Sequence, residues 1–201
     1  MIGFGISLPA LVVRGAPRVI NLVPDSEDFD GSGYGAVAAQ CVFTEGQAGP
    51  FGENNATNLL NGGGTAGWWA LTTVNIALAN EAPYTASMYL KAGTGTQPTE
   101  IRVANITHSA THSMQLSWSA GVPSAGNLTN AQDGGVQTIG SDWYRISVVM
   151  DLAEYPDEVG DNFQLRTFPW GGLTDGAANC YTFGWQIDKG LGLPGSYKAT
   201  P

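Results

Sequence analysis

Four segments of this chain alternate apolar and polar side chains with a strict period of two, and this constrains its fold more than any other feature. Tyr84, Ala86, Met88 and Leu90 alternate with Thr85, Ser87, Tyr89 and Lys91. Met114, Leu116 and Trp118 alternate with Ser113, Gln115, Ser117 and Ser119. The same pattern recurs in Tyr144, Ile146, Val148 and Met150, and again in Tyr181, Phe183, Trp185 and Ile187. Successive side chains of a strand point to opposite faces, so such a pattern describes strands with one face on a core. Turn signals separate these runs: Gly93-Thr94-Gly95, Gly121-Val122-Pro123, Asp133-Gly134-Gly135, Pro169-Trp170-Gly171-Gly172 and Thr174-Asp175-Gly176. Two shorter apolar stretches, 18–23 and 36–44, read as further strands, with a glycine-rich loop over 24–35. Asn61-Gly62-Gly63-Gly64 is a break. No helical periodicity of any length is present. The pattern therefore predicts about ten strands in two packed antiparallel sheets.

The charge balance narrows the function. Eight Lys and Arg against seventeen Asp and Glu give a formal charge of −9 in 201 residues. No basic stripe is present, which argues against a nucleic-acid partner, and an acidic surface is repelled by anionic lipid, which argues against a membrane one. Cys41 and Cys180 are too few for a metal cage or a disulfide framework. They read either as one bridge, if their strands are neighbours, or as two small apolar side chains. The N-terminal run places Ile2, Phe4, Ile6, Leu8, Leu11, Val12 and Val13 before the first charge, Arg14. It is too short to span a bilayer and lacks the basic start and small-residue cleavage site of a secretory signal. Exposed apolar surface of this kind needs a cover. Residues 1–17 are therefore read as a docking arm for a neighbouring subunit, and residues 18–201 as one β-sandwich domain.

Four motifs in order carry a resemblance. They are Asn21-Leu22-Val23-Pro24-Asp25-Ser26-Glu27-Asp28-Phe29, Tyr84-Thr85-Ala86-Ser87-Met88-Tyr89-Leu90-Lys91-Ala92, Asp142-Trp143-Tyr144-Arg145 and Trp185-Gln186-Ile187-Asp188-Lys189-Gly190. Together they resemble the carbohydrate-binding-module-like β-sandwich found in bacteriophage virion proteins, mostly tail fibres and similar appendages. Asp142 stands where that family usually has glycine, and Gly184-Trp185-Gln186 lacks a small residue usual before the glutamine. The resemblance implies a fold, a setting in an assembled particle and a homo-oligomer, a trimer being the expected form. It implies no reaction.

Each candidate for chemistry has a plainer reading beside it. His108 and His112 have the spacing of a helical zinc pair, but they fall in strand and loop without an adjacent glutamate, and they read as surface-loop histidines. Asp151, Glu154, Asp157, Glu158 and Asp161 could supply the two carboxylates of a glycosidase. Around Pro156 and Gly160 they read instead as a solvated acidic loop. A structural calcium there, or one bridging Asp25 or Glu27 to Asp188, would suit oxygen ligands. Serine-nucleophile, phosphate-loop and dinucleotide signatures are absent. Of six tryptophans, Trp118, Trp143 and Trp185 sit in alternating strands and are assigned to the core. Trp68-Trp69 must send one indole away from the core, and Trp170 sits in a Pro-Trp-Gly-Gly turn. Exposed indoles of that kind are platforms for a sugar ring or a protein partner.

The sequence thus describes an all-β, jelly-roll-like antiparallel sandwich with a short extended N-terminal arm. It reads first as a non-enzymatic structural protein of a phage particle, a capsid decoration or a tail or fibre appendage, with no cofactor. A host-glycan-binding module using Trp68, Trp69 and Trp170 is the second reading, and a glycan depolymerase the third.

Overall fold

The computed structural model describes residues 21–23, 26–27, 41–61, 69–70, 76–95, 97–168, 178–190, 194 and 196–197. Twelve strands are described: β1 Cys41–Gln47, β2 Ala56–Asn61, β3 Trp69–Ala70, β4 Ile76–Ala77, β5 Pro83–Ala92, β6 Glu100–Asn105, β7 Ala110–Ser119, β8 Val122–Thr129, β9 Asp133–Gly140, β10 Trp143–Asp151, β11 Asn162–Phe168 and β12 Asn179–Lys189. The only helical element among the described residues is a 3-10 turn, Pro156–Glu158. One sheet runs β1-β2-β12-β5-β10-β9. The other runs β3-β11-β6-β7-β8, with β4 also pairing β11. Every pairing is antiparallel. From β8 onward the chain changes sheet at β9, again at β11 and again at β12, and this gives the jelly-roll-like sandwich.

The alternation in the sequence explains the core. Ala86, Met88 and Leu90 of β5 and Ile146, Val148 and Met150 of β10 face inward from the first sheet. They meet Ile101 and Val103 of β6, Met114 of β7, and Phe163 and Leu165 of β11, and all are fully buried. Each large aliphatic or aromatic side chain removed from water contributes about 1.5–3 kcal/mol. Between β9 and β10 the loop is only Ser141-Asp142, both left-handed (φ 48° and 64°). A two-residue hairpin of this hand matches strand twist, and aspartate tolerates the left-handed region better than most side chains. Asp142 therefore fits where glycine is usual.

The motifs of the resemblance converge in space. Three of them lie on β12, β5 and β10, adjacent strands at the centre of the first sheet. The fourth, Asn21–Val23, runs beside β12 beyond the part that pairs β2. Leu22 N donates to Ile187 O at 3.1 Å, and Trp185 N donates to Ser26 O at 3.1 Å. Asn21 ties this join: Nδ2 donates to Trp185 O at 2.9 Å, and Oδ1 accepts from Ile187 N at 3.1 Å and from Val23 N at 3.1 Å. At this point β12 carries a bulge, since Phe183 pairs Tyr89 but Gln186 pairs Ser87. Gly184, at φ 58°, permits the bulge. A Cβ there would lie 2.7 Å from the Tyr197 ring.

The outer face of the first sheet is buried as well. Tyr89, Trp143, Phe183 and Ala56 form a second apolar cluster, with Tyr197 against it. Phe51, from the β1–β2 loop, meets Tyr89 and Phe183 edge-on at 5.4 and 5.9 Å while remaining 59% exposed. Beside this cluster the Arg145 guanidinium lies 5.2 Å from the Tyr89 ring centre and donates to Ser87 Oγ at 3.0 Å.

Several sequence expectations are corrected. Asp133-Gly134-Gly135 is not a turn but the start of β9, because a Cβ at Gly134 would strike Met114 Sδ at 2.5 Å. Close approach of two layers, not chain reversal, requires that glycine. Asn21–Val23 follows β12 without being a regular strand. Cys41 and Cys180 are on β1 and β12, with β2 between them. Two strand spacings are about 10 Å, beyond the roughly 7 Å limit for bridged Cα atoms. Trp185 is in the core as expected, and Trp143 is buried in the outer cluster instead. Trp118 is only half-buried.

Candidate functional site

Trp118 comes next to last in β7 and shares inward parity with Met114 and Leu116, and its half-buried indole packs against the main core. It forms a wall of a cleft of about 520 Å3 that also includes Gln97, Thr99, Ser117 and Gly121. That volume falls within the roughly 300–1,000 Å3 of small-ligand sites. The indole is held in place, since Nε1 donates to Pro98 O at 2.6 Å.

The cleft floor is tied down through Gln97, which is buried. Gln97 Nε2 donates to Thr94 O at 3.2 Å, Gly95 O at 3.1 Å and Asn179 O at 3.2 Å, while Oε1 accepts from Gly93 N at 3.2 Å. Asn179 Oδ1 accepts in turn from Thr94 N at 2.6 Å and Thr94 Oγ1 at 2.7 Å. A side chain at Gly93 would collide with Asn179, so glycine is required there. A fixed aromatic face beside amide and hydroxyl groups is suited to a polar ligand with an apolar face.

The histidines and the acidic loop form one cluster. His112 faces inward on β7 and is fully buried, and Glu158 is buried in the 3-10 turn. His112 Nε2 lies 3.0 Å from Glu158 Oε2, and Nδ1 lies 2.6 Å from Asn130 O. A carbonyl only accepts, so Nδ1 is the donor in its bond to Asn130 O. The Tyr155 ring meets the imidazole edge-on at 4.9 Å. Asn105 Nδ2 donates to Glu158 Oε2 and to Asp161 Oδ2, each at 2.8 Å. Its Oδ1 accepts from Thr107 N at 2.9 Å and His108 N at 3.1 Å. His108 Nδ1 is bonded to Asp161 Oδ2. This bond and the Asp161 charge raise the His108 pKa above its ordinary value. The hydrogen bond from Asn105, then that from His108, lowers the Asp161 pKa, against an opposing effect of desolvation.

The expectation of two surface-loop histidines therefore holds only for His108. The acidic stretch is not simply solvated, because Glu158 is enclosed by His112, Asn105 and Tyr155. The two histidines reach different carboxylates and do not converge on a common point. Among the described residues, no group of three or more His, Cys, Asp and Glu is arranged to hold a metal ion. Asp188, considered for calcium, is buried and accepts from Gln186 Nε2, and Asp25 lies outside the described residues.

Of the tryptophans considered for ligand contact, Trp68 and Trp170 lie outside the described residues. Trp69 is placed by its backbone alone, on β3 opposite Thr167. The docking residues Ile2, Phe4, Ile6, Leu8, Leu11, Val12 and Val13 also lie outside them. Sequence reasoning assigned Trp118 to the core and missed its place on the cleft. The available signal was its position at a strand end beside the Ala120-Gly121 turn, where inward parity no longer ensures cover. No family model and no curated protein matches this chain.

Proposed function

We propose that this chain is a non-catalytic β-sandwich module of a bacteriophage particle, a capsid decoration or tail appendage, and that it binds a saccharide in the Trp118 cleft. The setting rests on the four sequence motifs, three of which lie on adjacent strands of one sheet. The binding reading rests on one observation: an indole locked by its Nε1–Pro98 bond beside a cleft whose polar floor is fixed by Gln97 and Asn179. The histidine–carboxylate cluster supports the non-catalytic reading, because its central pair is enclosed and already bonded to each other and to the backbone. The apolar arm, residues 1–17, would attach the module to a neighbouring subunit.

Titration calorimetry against host-surface glycans tests the binding reading. Trp118→Ala should weaken binding about thirtyfold, as expected for loss of an aromatic anchor, while Trp118→Phe should retain most of it. Equal affinity in wild type and Trp118→Ala, with both folded, refutes the site. The setting is tested separately by whether protein lacking residues 1–16 still joins particles. Incorporation at the normal level removes the arm from the assembly.

A further inference from the structure

From residue 103 to residue 132 the chain has no Asp, Glu, Lys or Arg, although its formal charge is −9. This stretch builds β7 and β8, and β8 is exposed along nearly its whole length. As the last strand of its sheet, β8 is guarded by Pro123 and a bulge and not by charge. Those two features disfavour strand pairing with a second copy, while the side chains beside them stay open to a ligand. On the outer face, opposite in parity to the buried Met114 and Leu116, Gln115 and Ser117 of β7 lie beside Ser124 and Asn127 of β8, all four exposed. Ser117 and Ser124 are register partners with their hydroxyl oxygens 3.1 Å apart. Asn127 Nδ2 donates to Gln115 Oε1 at 3.4 Å. Gln115 Nε2 remains a donor and Asn127 Oδ1 an acceptor for a bound hydroxyl.

This face is continuous with the Trp118 cleft, since Ser117 belongs to both. Among the described residues, no charged side chain lines the cleft. A carboxylate or phosphate on a ligand would lose water there without gaining a cationic partner, and an ammonium would find no carboxylate. Hydroxyl groups lose little, because each exchanges water for an amide or hydroxyl of the protein. Gln115 lies two residues along β7 from Ser117, about 7 Å. A ligand that reaches both therefore extends beyond a ring stacked on Trp118.

We propose that the Trp118 cleft and the outer β7–β8 face together bind an uncharged oligosaccharide. One ring lies against the indole, and the following units are hydrogen-bonded by Ser117, Ser124, Gln115 and Asn127. This rests on the saccharide reading of the cleft and adds to it the charge of the ligand and a length of more than one unit.

Calorimetric or NMR titration of the full chain at physiological salt tests this, with glucose, galactose and mannose and their neutral oligomers of two to four units as probes. Glucuronate and galacturonate oligomers of equal length serve as the acidic set. At least one neutral series should gain about tenfold or more in affinity from one unit to three, and the acidic oligomers should bind about tenfold more weakly. Both Gln115 and Asn127 are exposed, so the double variant Gln115→Ala, Asn127→Ala keeps the fold. It should abolish the gain with length and leave affinity for the single unit unchanged, whereas Trp118→Ala should weaken both. Binding of one unit that depends on Trp118 but does not tighten with length overturns the extension and leaves the cleft reading standing. Absence of binding by any neutral probe overturns both. Acidic oligomers that bind as tightly as neutral ones overturn the charge assignment, and a gain that persists in the double variant overturns the roles of Gln115 and Asn127. Self-association seen by sedimentation and lost in the double variant would give the face to a second copy and overturn the proposal.

Discussion

Replacing Asn21 with alanine should destabilise the domain by about 3 kcal/mol, although Asn21 lies in no regular strand. Among the described residues its side chain makes three hydrogen bonds, to Trp185 O, Ile187 N and Val23 N, in a setting only 7% exposed. Each such bond contributes about 1 kcal/mol net, and leaving a buried partner unmet costs at least as much. Two of the partners belong to β12 beside its bulge, where β2 no longer covers the strand and water is kept out by the segment that Asn21 anchors. In a domain of this size 1 kcal/mol corresponds to about 2–4 °C, so the melting temperature should fall by about 6–12 °C. Calorimetry or circular dichroism measures it directly. Asn21→Asp provides the diagnostic control. It keeps the acceptor for the two N–H groups but sets a carboxylate oxygen against Trp185 O, so at neutral pH it should be nearly as harmful as alanine. On acidification the new carboxyl gains a proton that can be donated to Trp185 O. Its folded pKa is thereby raised, and stability should return as pH falls through it. An alanine variant melting within about 2 °C of wild type would show that Asn21 does not hold β12, and the structural reading of the opening motif would fail.

Much of the fold was legible because its strands are long and alternate apolar with polar side chains, although β5, β10 and β12 are buried on both faces. β5, β7, β10 and β12 could be placed from alternation alone, and three of them carry the motifs that meet in the first sheet. β3 and β4, of two residues each, carry no period to read. β9 was hidden because Gly134 signals a turn locally while the tertiary contact with Met114 demands a strand. The site was less legible, for the same physical reason. His112 shares inward parity with Met114 and Leu116, which is a readable sign that it is buried. Its partner Glu158 is far along the chain, and nothing local marks that residue as buried. Gln97 and Asn179, which floor the cleft, are far apart in sequence, and only the return of β12 beside β5 brings them together. The order of strands in a sheet is long-range information, and it decides which polar residues become a site.

Two further expectations follow from the geometry. Gly184→Ala should cost about 2 kcal/mol or more, from left-handed backbone strain and from the 2.7 Å approach of the new Cβ to the Tyr197 ring. Urea unfolding should also show coupling with Tyr197→Ala, and strictly additive effects would contradict the contact. The second concerns His108, whose bond to Asp161 raises its own pKa and contributes to lowering that of Asp161. His108 contributes stability that is complete below its unfolded value of about 6.5 and disappears as pH rises through its higher folded value. Asp161 contributes stability present above its unfolded value of about 3.9 and lost as pH falls through its lower folded value. The pair is therefore strongest between about pH 4 and 6.5, where both partners are charged, and weakens on either side. Titrating the imidazole by NMR should give a His108 midpoint above that of an ordinary histidine, and Asp161→Asn should return it toward the ordinary value. A wild-type midpoint at or below about 6.5 would mean that the His108–Asp161 bond does not persist in solution. Asn105, through its bonds to Glu158 and Asp161, would then hold the β6–β7 turn against residues 156–161 without help from His108.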